Sequence, residues 1–142
     1  RRRPPASSPA RPPSAPPPGP RGTPAARRAP RGPPRGAPPR GPRRTADFLL
    51  AQQGLRYEDL AAIEFNEAFA VIDVLFARAH GNCLDRYNRL GGALAYGHPY
   101  GASGAVLALH LLQSLRQAGG GLGLLSIAGA GGMGEAILLE RC

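Results

Sequence analysis

The sequence predicts an α/β fold that follows a disordered N-terminal tail. Residues 1–44 hold 16 of the 17 prolines and 12 of the 18 basic residues, all of them arginine. Beyond them, two segments have apolar residues on nearly every side of a helix, and two apolar runs near the C-terminus are typical of strands. The domain boundary is therefore predicted between residues 44 and 45.

The tail has a composition that resists folding. It carries no acidic residue and few large apolar side chains, and proline at this density interrupts helices and sheets. We expect disorder with some polyproline II character and no stable contact with the rest of the chain. Its arginines can neutralise phosphates, but a tail without aromatic residues predicts only non-specific binding to nucleic acid.

The tail also suggests an unusual origin. Arg, Pro, Ala and Gly all have GC-rich codons, so we hypothesise that residues 1–44 are a frameshifted or mis-started translation. No apolar stretch follows the arginines, which argues against a signal peptide, and the proline excess argues against an amphipathic transit peptide.

The folded part differs from the tail in charge. Residues 45–142 carry 6 arginines and 9 acidic residues, a formal charge of −3, so the overall charge of +9 belongs to the tail. Cys83 and Cys142 show no metal-ligand spacing and no secretory context, so we expect no metal site and two free thiols in the reducing cytoplasm. No apolar run is long enough to span a membrane.

The folded part is predicted to begin with a helix and a short strand. Thr45 or Asp47 can cap a helix that runs to about Gln53. Residues 57–60 then connect this helix to a strand over residues 61–65.

Two more helices and two more strands are predicted. Residues 67–79 form a helix that is apolar almost all round, and residues 103–118 form a second that is apolar around most of its girth. Residues 122–127 and 134–140 are expected to pair as an antiparallel hairpin. Helices of this kind need cover on several sides, which so few strands cannot supply. We therefore expect this part of the chain to require partner structure.

Residues 91–104 are the candidate functional site because glycine is concentrated there around a single imidazole. The segment contains five glycines, one proline and His98. Pro99 biases His98 toward an extended backbone, which predicts a ring held on a tight turn before the helix. A loop with a structural histidine is the alternative, and His110 within the following helix is predicted to be structural.

Three segments resemble motifs of the thiolase family, in that family's order. Residues 64–70 (EFNEAFA) resemble its Asn-Glu-Ala-Phe motif, residues 91–104 (GGALAYGHPYGASG) its Gly-His-Pro motif, and residues 131–134 (GGMG) its C-terminal glycine motif. The resemblance covers about residues 45–142. It implies the C-terminal half of a five-layered α-β-α-β-α sandwich, with central helices between two mixed sheets.

The resemblance also implies an acyltransferase of lipid metabolism. Thiolases transfer an acyl group between an enzyme cysteine and coenzyme A, by thiolysis of a 3-ketoacyl-CoA or by Claisen condensation. Coenzyme A is a substrate, and no cofactor is implied. The implied partners are an acyl-CoA, the missing N-terminal half or a homologous chain, and further copies of the complete protein in a homo-oligomer.

Four residues match the family's site. His98 matches the histidine that donates to the thioester oxygen, and Asn66 matches the asparagine that holds a water in the same oxyanion hole. From its position alone, Asn66 is instead a helix N-cap, and that alternative stays open. Gly97 and Ser103 are expected to contact the substrate.

Two catalytic positions depart from the family. The nucleophilic cysteine lies in the absent half, and the surroundings of Cys83 do not resemble it. Ala128 stands at the position of the acid/base cysteine, where a methyl group cannot carry a proton. Ala130 would offer its backbone N–H to a second oxyanion hole.

We therefore expect a fragment that is inactive alone. One alternative is a non-catalytic acyl-CoA-binding or scaffolding module. The other is a nucleic-acid binder that acts through its tail.

Overall fold

The strands of this chain form one four-stranded mixed sheet, with helices on both of its faces. The computed structural model describes residues 25–28, 41–129 and 133–142. The strands are β1 (Ala25–Arg28), β2 (Ala62–Phe65), β3 (Gly121–Ala128) and β4 (Gly134–Arg141). The helices are α1 (Gly41–Gln53), α2 (Val71–Ala79), the single turn α3 (Ala93–Tyr96) and α4 (Ser103–Gln117).

The sheet has the order β1-β4-β3-β2. β3 and β4 form the predicted antiparallel hairpin, and β2 runs parallel to β3, with Phe65 opposite Ser126. Because parallel strands end at the same edge of a sheet, Asn66 after β2 and Ala128 at the end of β3 lie at one edge.

Alternation along β2 divides the core between the two faces of the sheet. Ile63 and Phe65 join the core beneath α1 and α2, and Ala62 joins the core beneath α4. The second core is made of Ala62, Leu107, Leu111, Leu115 and Leu125. The chain thus builds helix, sheet and helix, three of the five layers that the thiolase resemblance implies.

Helix α1 begins earlier than the sequence predicted. It starts at Gly41 rather than at Thr45. Proline suits the first turn of a helix because its fixed φ is helical and its missing N–H would have no partner there. Pro42 takes that place, and its carbonyl oxygen lies 2.9 Å from the hydroxyl of the buried Ser126.

Strand β1 differs from the expectation that the tail makes no stable contact. Ala25–Arg28 pair antiparallel with β4, with Ala25 opposite Glu140. The outer edge of β4 offers N–H and C=O groups that need partners, and backbone pairing requires no apolar side chain. Composition therefore gave no signal for this strand. The rest of the predicted disorder concerns residues 1–24 and 29–40, which lie outside the described residues.

Among the residues that the structure describes, helix α2 is covered on one side only. Phe76 is fully buried, whereas Val71, Val74 and Leu75 are each about half exposed. One sheet can cover one face of a helix, so the predicted burial on several sides is not met by these residues alone. Within the described ranges, no helix has both the length and the hydropathy to cross a membrane.

Candidate active site

Asn66 and His98 meet at the edge of the sheet, although 32 residues separate them in the sequence. Asn66 Nδ2 lies 3.4 Å from His98 Nε2. Asn66 is 2% exposed, and its backbone N–H donates to the carbonyl oxygen of Ser126 at 2.9 Å. The end of β2 therefore fixes Asn66, and the structure brings together the two residues that the motifs singled out.

His98 is held by its neighbours in the glycine-rich segment. Its Nδ1 lies 2.6 Å from the hydroxyl of Ser103, the first residue of α4. The ring of Tyr100 stacks on the imidazole with centroids 4.8 Å apart. Gly97, directly before His98, has φ +96°, a conformation that side chains rarely adopt. These contacts present Nε2 toward Asn66.

The alternative role of Asn66 as a helix N-cap is wrong. Helix α2 begins at Val71, and its N-cap residue is Ala70. The predicted start at residue 67 fails because Glu67 instead makes long-range hydrogen bonds through its carboxylate. Asn66 is thereby free to direct its amide at His98.

Two proton arrangements fit the contacts around His98. The Nδ2 group of an asparagine only donates, so His98 Nε2 can accept its proton while Nδ1–H donates to Ser103. In the second arrangement the Ser103 hydroxyl donates to Nδ1 and Nε2 carries the proton. Asn66 and His98 then present two N–H donors to one external oxygen. The separation of 3.4 Å is long for a direct hydrogen bond and suits two donors flanking a shared acceptor.

Asn88 is a site-supporting residue that the sequence did not reveal. Its Oδ1 accepts from the backbone N–H of Phe65 at 2.8 Å, and its Nδ2 donates to Glu67 Oε1 at 2.8 Å. Its φ of +42° is tolerated better by asparagine than by most residues. It lies in a polar loop without periodicity, so no local pattern distinguished it.

Glu64 is a buried acidic residue on β2 that was not among the predicted site residues. It is 0% exposed, and its Oε1 accepts from the Ser114 hydroxyl at 3.2 Å. Its Oε2 is buried without a hydrogen-bond partner among the described residues. Burial raises the pKa of Glu64 to about 7, the nearby charge of Glu67 adds to the rise, and the bond from Ser114 opposes it. An acid within an apolar strand was the available signal.

His110 lies on α4, where its ring meets that of Tyr96 edge-on with centroids 5.2 Å apart. Its Nδ1 is buried without a hydrogen-bond partner in the described part of the chain. In the described part of the chain His110 makes this ring contact away from Asn66 and His98, and its predicted structural role stays a prediction.

Comparison with known proteins establishes the family. Residues 33–141 match the family model described as the C-terminal domain of thiolase. The chain belongs to the thiolase family. The match starts at residue 33, so it includes residues 33–44, which the motif resemblance did not reach.

Named relatives agree with this assignment. The chain is 39% identical over 117 residues to a 3-ketoacyl-CoA thiolase of Erwinia tasmaniensis, an alignment that covers 70% of this chain and 27% of the relative. It is 42% identical over 89 residues to a Mycobacterium leprae protein named "probable acetyl-CoA acetyltransferase", covering 63% of this chain and 23% of that protein. The chain thus spans about a quarter of the length of these relatives.

Solved thiolase structures share the fold. The Acat5 thiolase of Ascaris suum in complex with coenzyme A superposes with a TM-score of 0.69 and 34% identity, over 83% of this chain and 30% of that one. Human mitochondrial 3-ketoacyl-CoA thiolase gives a TM-score of 0.66 and 34% identity, over 72% of this chain and 26% of that one. The predicted fold class, the C-terminal half of a thiolase sandwich, is confirmed.

The surroundings of Ala128 and Cys83 can be described from the structure, whereas those of Ala130 cannot. Ala128 is half-buried at the end of β3, opposite Gly134. Ala130 lies outside the described residues. Cys83 is fully buried, and that burial raises the pKa of its thiol, which disfavours the thiolate a nucleophile needs.

Proposed function

We propose that this domain supplies the thioester-oxygen site of a thiolase and requires a nucleophilic cysteine from an N-terminal half. The observation that carries the proposal is the approach of Asn66 Nδ2 and His98 Nε2 to 3.4 Å at the carboxyl edge of β2. Two such donors can stabilise negative charge on a thioester oxygen, alone or through a water that Asn66 holds.

The proposed reaction is the thiolysis of a 3-ketoacyl-CoA. The cysteine thiolate adds to the 3-keto carbon, and the bond between C2 and C3 breaks. Its electron pair moves toward the thioester oxygen, which forms the enolate of acetyl-CoA. Asn66 and His98 stabilise that oxygen, an acid must protonate C2, and the thiol of a second coenzyme A then takes the acyl group from the cysteine.

Ser103 acts through His98 in this proposal, not on the substrate as its motif position suggested. It is 3% exposed, and its hydroxyl lies against His98 Nδ1. When that hydroxyl donates to Nδ1, the ring proton resides on Nε2, where the oxyanion needs it. Gly97 contributes its left-handed backbone to the same placement.

Ala128 limits the proposed chemistry. A methyl group at the acid/base position cannot protonate C2, so we expect acyl transfer to a cysteine to survive better than carbon–carbon bond cleavage. The same residue favours the second candidate function, an acyl-CoA-binding module without turnover. The proposed partners are therefore an acyl-CoA and the N-terminal half of a thiolase, with homo-oligomers of the completed protein.

The test joins this chain to the N-terminal half of human mitochondrial 3-ketoacyl-CoA thiolase. Intact-mass spectrometry then follows the acylation of the restored cysteine by acetyl-CoA. His98→Ala and Asn66→Ala should each slow acylation about 10²–10³-fold, as the loss of one oxyanion donor does elsewhere. Asn82→Ala is the control, because Asn82 is exposed and bonds to Glu58. Acylation at the parent rate in His98→Ala would refute the proposal, and binding of acetyl-CoA without acylation would favour the binding module.

A further inference from the structure

Glu67 links the two chain segments that carry Asn66 and His98. It follows Asn66 directly, and both oxygens of its half-buried carboxylate reach the segment that leads to His98. Oε1 accepts from Asn88 Nδ2 at 2.8 Å, and Oε2 accepts from the backbone N–H of Leu94 at 2.9 Å. One side chain therefore joins the end of β2 to the glycine-rich segment.

Both hydrogen-bond partners of the Glu67 side chain are donors, so this side chain must supply two acceptor oxygens. Asn88 Oδ1 faces the N–H of Phe65, and Nδ2 lies 3.1 Å from the carbonyl oxygen of Phe65. Since an N–H only donates and a carbonyl only accepts, the orientation of the Asn88 amide is fixed, and its Nδ2 must face Glu67. The N–H of Leu94 also only donates. A carboxylate satisfies both donors, whereas a carboxamide satisfies one.

Gly92 leaves the space that this carboxylate occupies. Its φ of −129° and ψ of −168° are extended values that any residue adopts. A Cβ at Gly92 would overlap all three atoms of the Glu67 carboxylate. A side chain at this position therefore acts on Glu67 and not through backbone strain, and a methyl group here would displace the Glu67 carboxylate without changing its charge.

We propose that Glu67 is a positioning residue that sets the separation of Asn66 and His98, and thereby the direction of both donors toward the thioester oxygen. The catalytic purpose of that separation rests on the proposed function, whereas the link itself rests on the contacts of Glu67. A misplacement of about 1 Å at a reacting centre can cost about 10²-fold in rate. We expect Glu67→Gln to slow acylation of the joined protein about 10–10²-fold for this reason.

The direct test uses the chain as it stands and the nuclear magnetic resonance of the His98 ring nitrogens, which distinguishes the two neutral tautomers. The variants are Glu67→Gln and Gly92→Ala. Their matched controls are Glu140→Gln, at an exposed site at the other end of β4, and Gly81→Ala, where an added Cβ meets no atom within 4 Å. The parent and both controls should show the ring-nitrogen shifts of a single His98 tautomer. Both variants should show shifts averaged between the two tautomers while remaining folded by circular dichroism.

A parent-like His98 spectrum in both variants would overturn the proposal. Loss of the folded state in either variant would also overturn it, because Glu67 would then determine the fold rather than the placement of His98. The proposed function fails separately: if His98→Ala acylates normally in the joined protein, the oxyanion role is lost, and the ring spectrum still decides whether Glu67 positions His98.

Discussion

Glu64 is an ionisable residue that folding buries, in surroundings that do little to stabilise the charge of its carboxylate. Its ordinary pKa of 4.5 rises to about 7 on folding, chiefly because burial disfavours the charged form. The folded state therefore holds the proton more tightly than the unfolded state between these values. The resulting stabilisation is fully present below about pH 4.5 and is lost as the pH rises through about 7.

Glu64→Gln should reduce the loss of stability that the chain suffers between pH 5 and pH 8. A neutral amide keeps an acceptor for Ser114 and removes the buried charge. The reduction should be at most about 3 kcal/mol, on the scale of 1.36 kcal/mol for each pKa unit. Urea denaturation at the two pH values measures it. Burial also raises the pKa of Asp73. Because Asp73 is present in both proteins, its contribution to the pH dependence cancels in the comparison. An unchanged dependence on pH in the variant would contradict the assignment.

At the scale of the element, α2 has one face that packs against other described residues and one face that none of them covers. Phe76 stacks on Tyr87 with centroids 4.2 Å apart and meets Phe65 edge-on at 5.3 Å. Val71, Val74 and Leu75 occupy the opposite, exposed face. The two faces should respond differently to substitution.

Phe76→Ala should destabilise the chain by about 3–5 kcal/mol, because it leaves a cavity in a packed aromatic cluster. Leu75→Ser should change the free energy of unfolding by less than about 0.5 kcal/mol, as surface substitutions usually do. Urea denaturation of this chain measures both effects. In the joined protein, Leu75→Ser should become clearly destabilising, and an equally small effect there would contradict the idea that partner structure covers this face.

The sequence correctly predicted the helices and strands whose apolar pattern lies within a single segment. Residues 121–128, 134–141 and 103–117 form the expected strands and helix, because their apolar periodicity is complete within each segment. The start of α1 and the whole of β1 depend on distant partners, namely Ser126 and the edge of β4. No local pattern encodes such contacts.

The residues of the candidate site likewise fall into those that a local pattern reveals and those that only the fold reveals. The motifs identified Asn66 and His98 because each lies in a recognisable run of residues. Asn88 matters only because the fold sets it against Phe65 and Glu67, which the linear sequence does not reveal. The N-cap alternative for Asn66 failed for a related reason, since the hydrogen bonds of Glu67 delay the start of α2.

At the scale of the whole molecule, positive charge is concentrated in residues 1–44, which carry 12 of the 18 arginines. If the tail binds nucleic acid, a labelled single-stranded oligonucleotide should bind the intact chain with an affinity that falls steeply with salt. A chain that starts at Gly41 lacks ten arginines and should lose this binding. Fluorescence anisotropy measures both affinities. Equal affinity of the two chains would show that the tail is not responsible.

We propose that this domain brings the thioester-oxygen donors of a thiolase but lacks its acid/base group. By itself the chain should cleave no 3-ketoacyl-CoA, since no residue in it matches the nucleophile. The decisive measurement compares thiolysis of acetoacetyl-CoA by the joined protein with that of its Ala128→Cys variant. The variant should be faster by about 10²–10⁴-fold, the usual contribution of a general acid/base. Equal rates would contradict this proposal, because Ala128 would then not occupy the catalytic position.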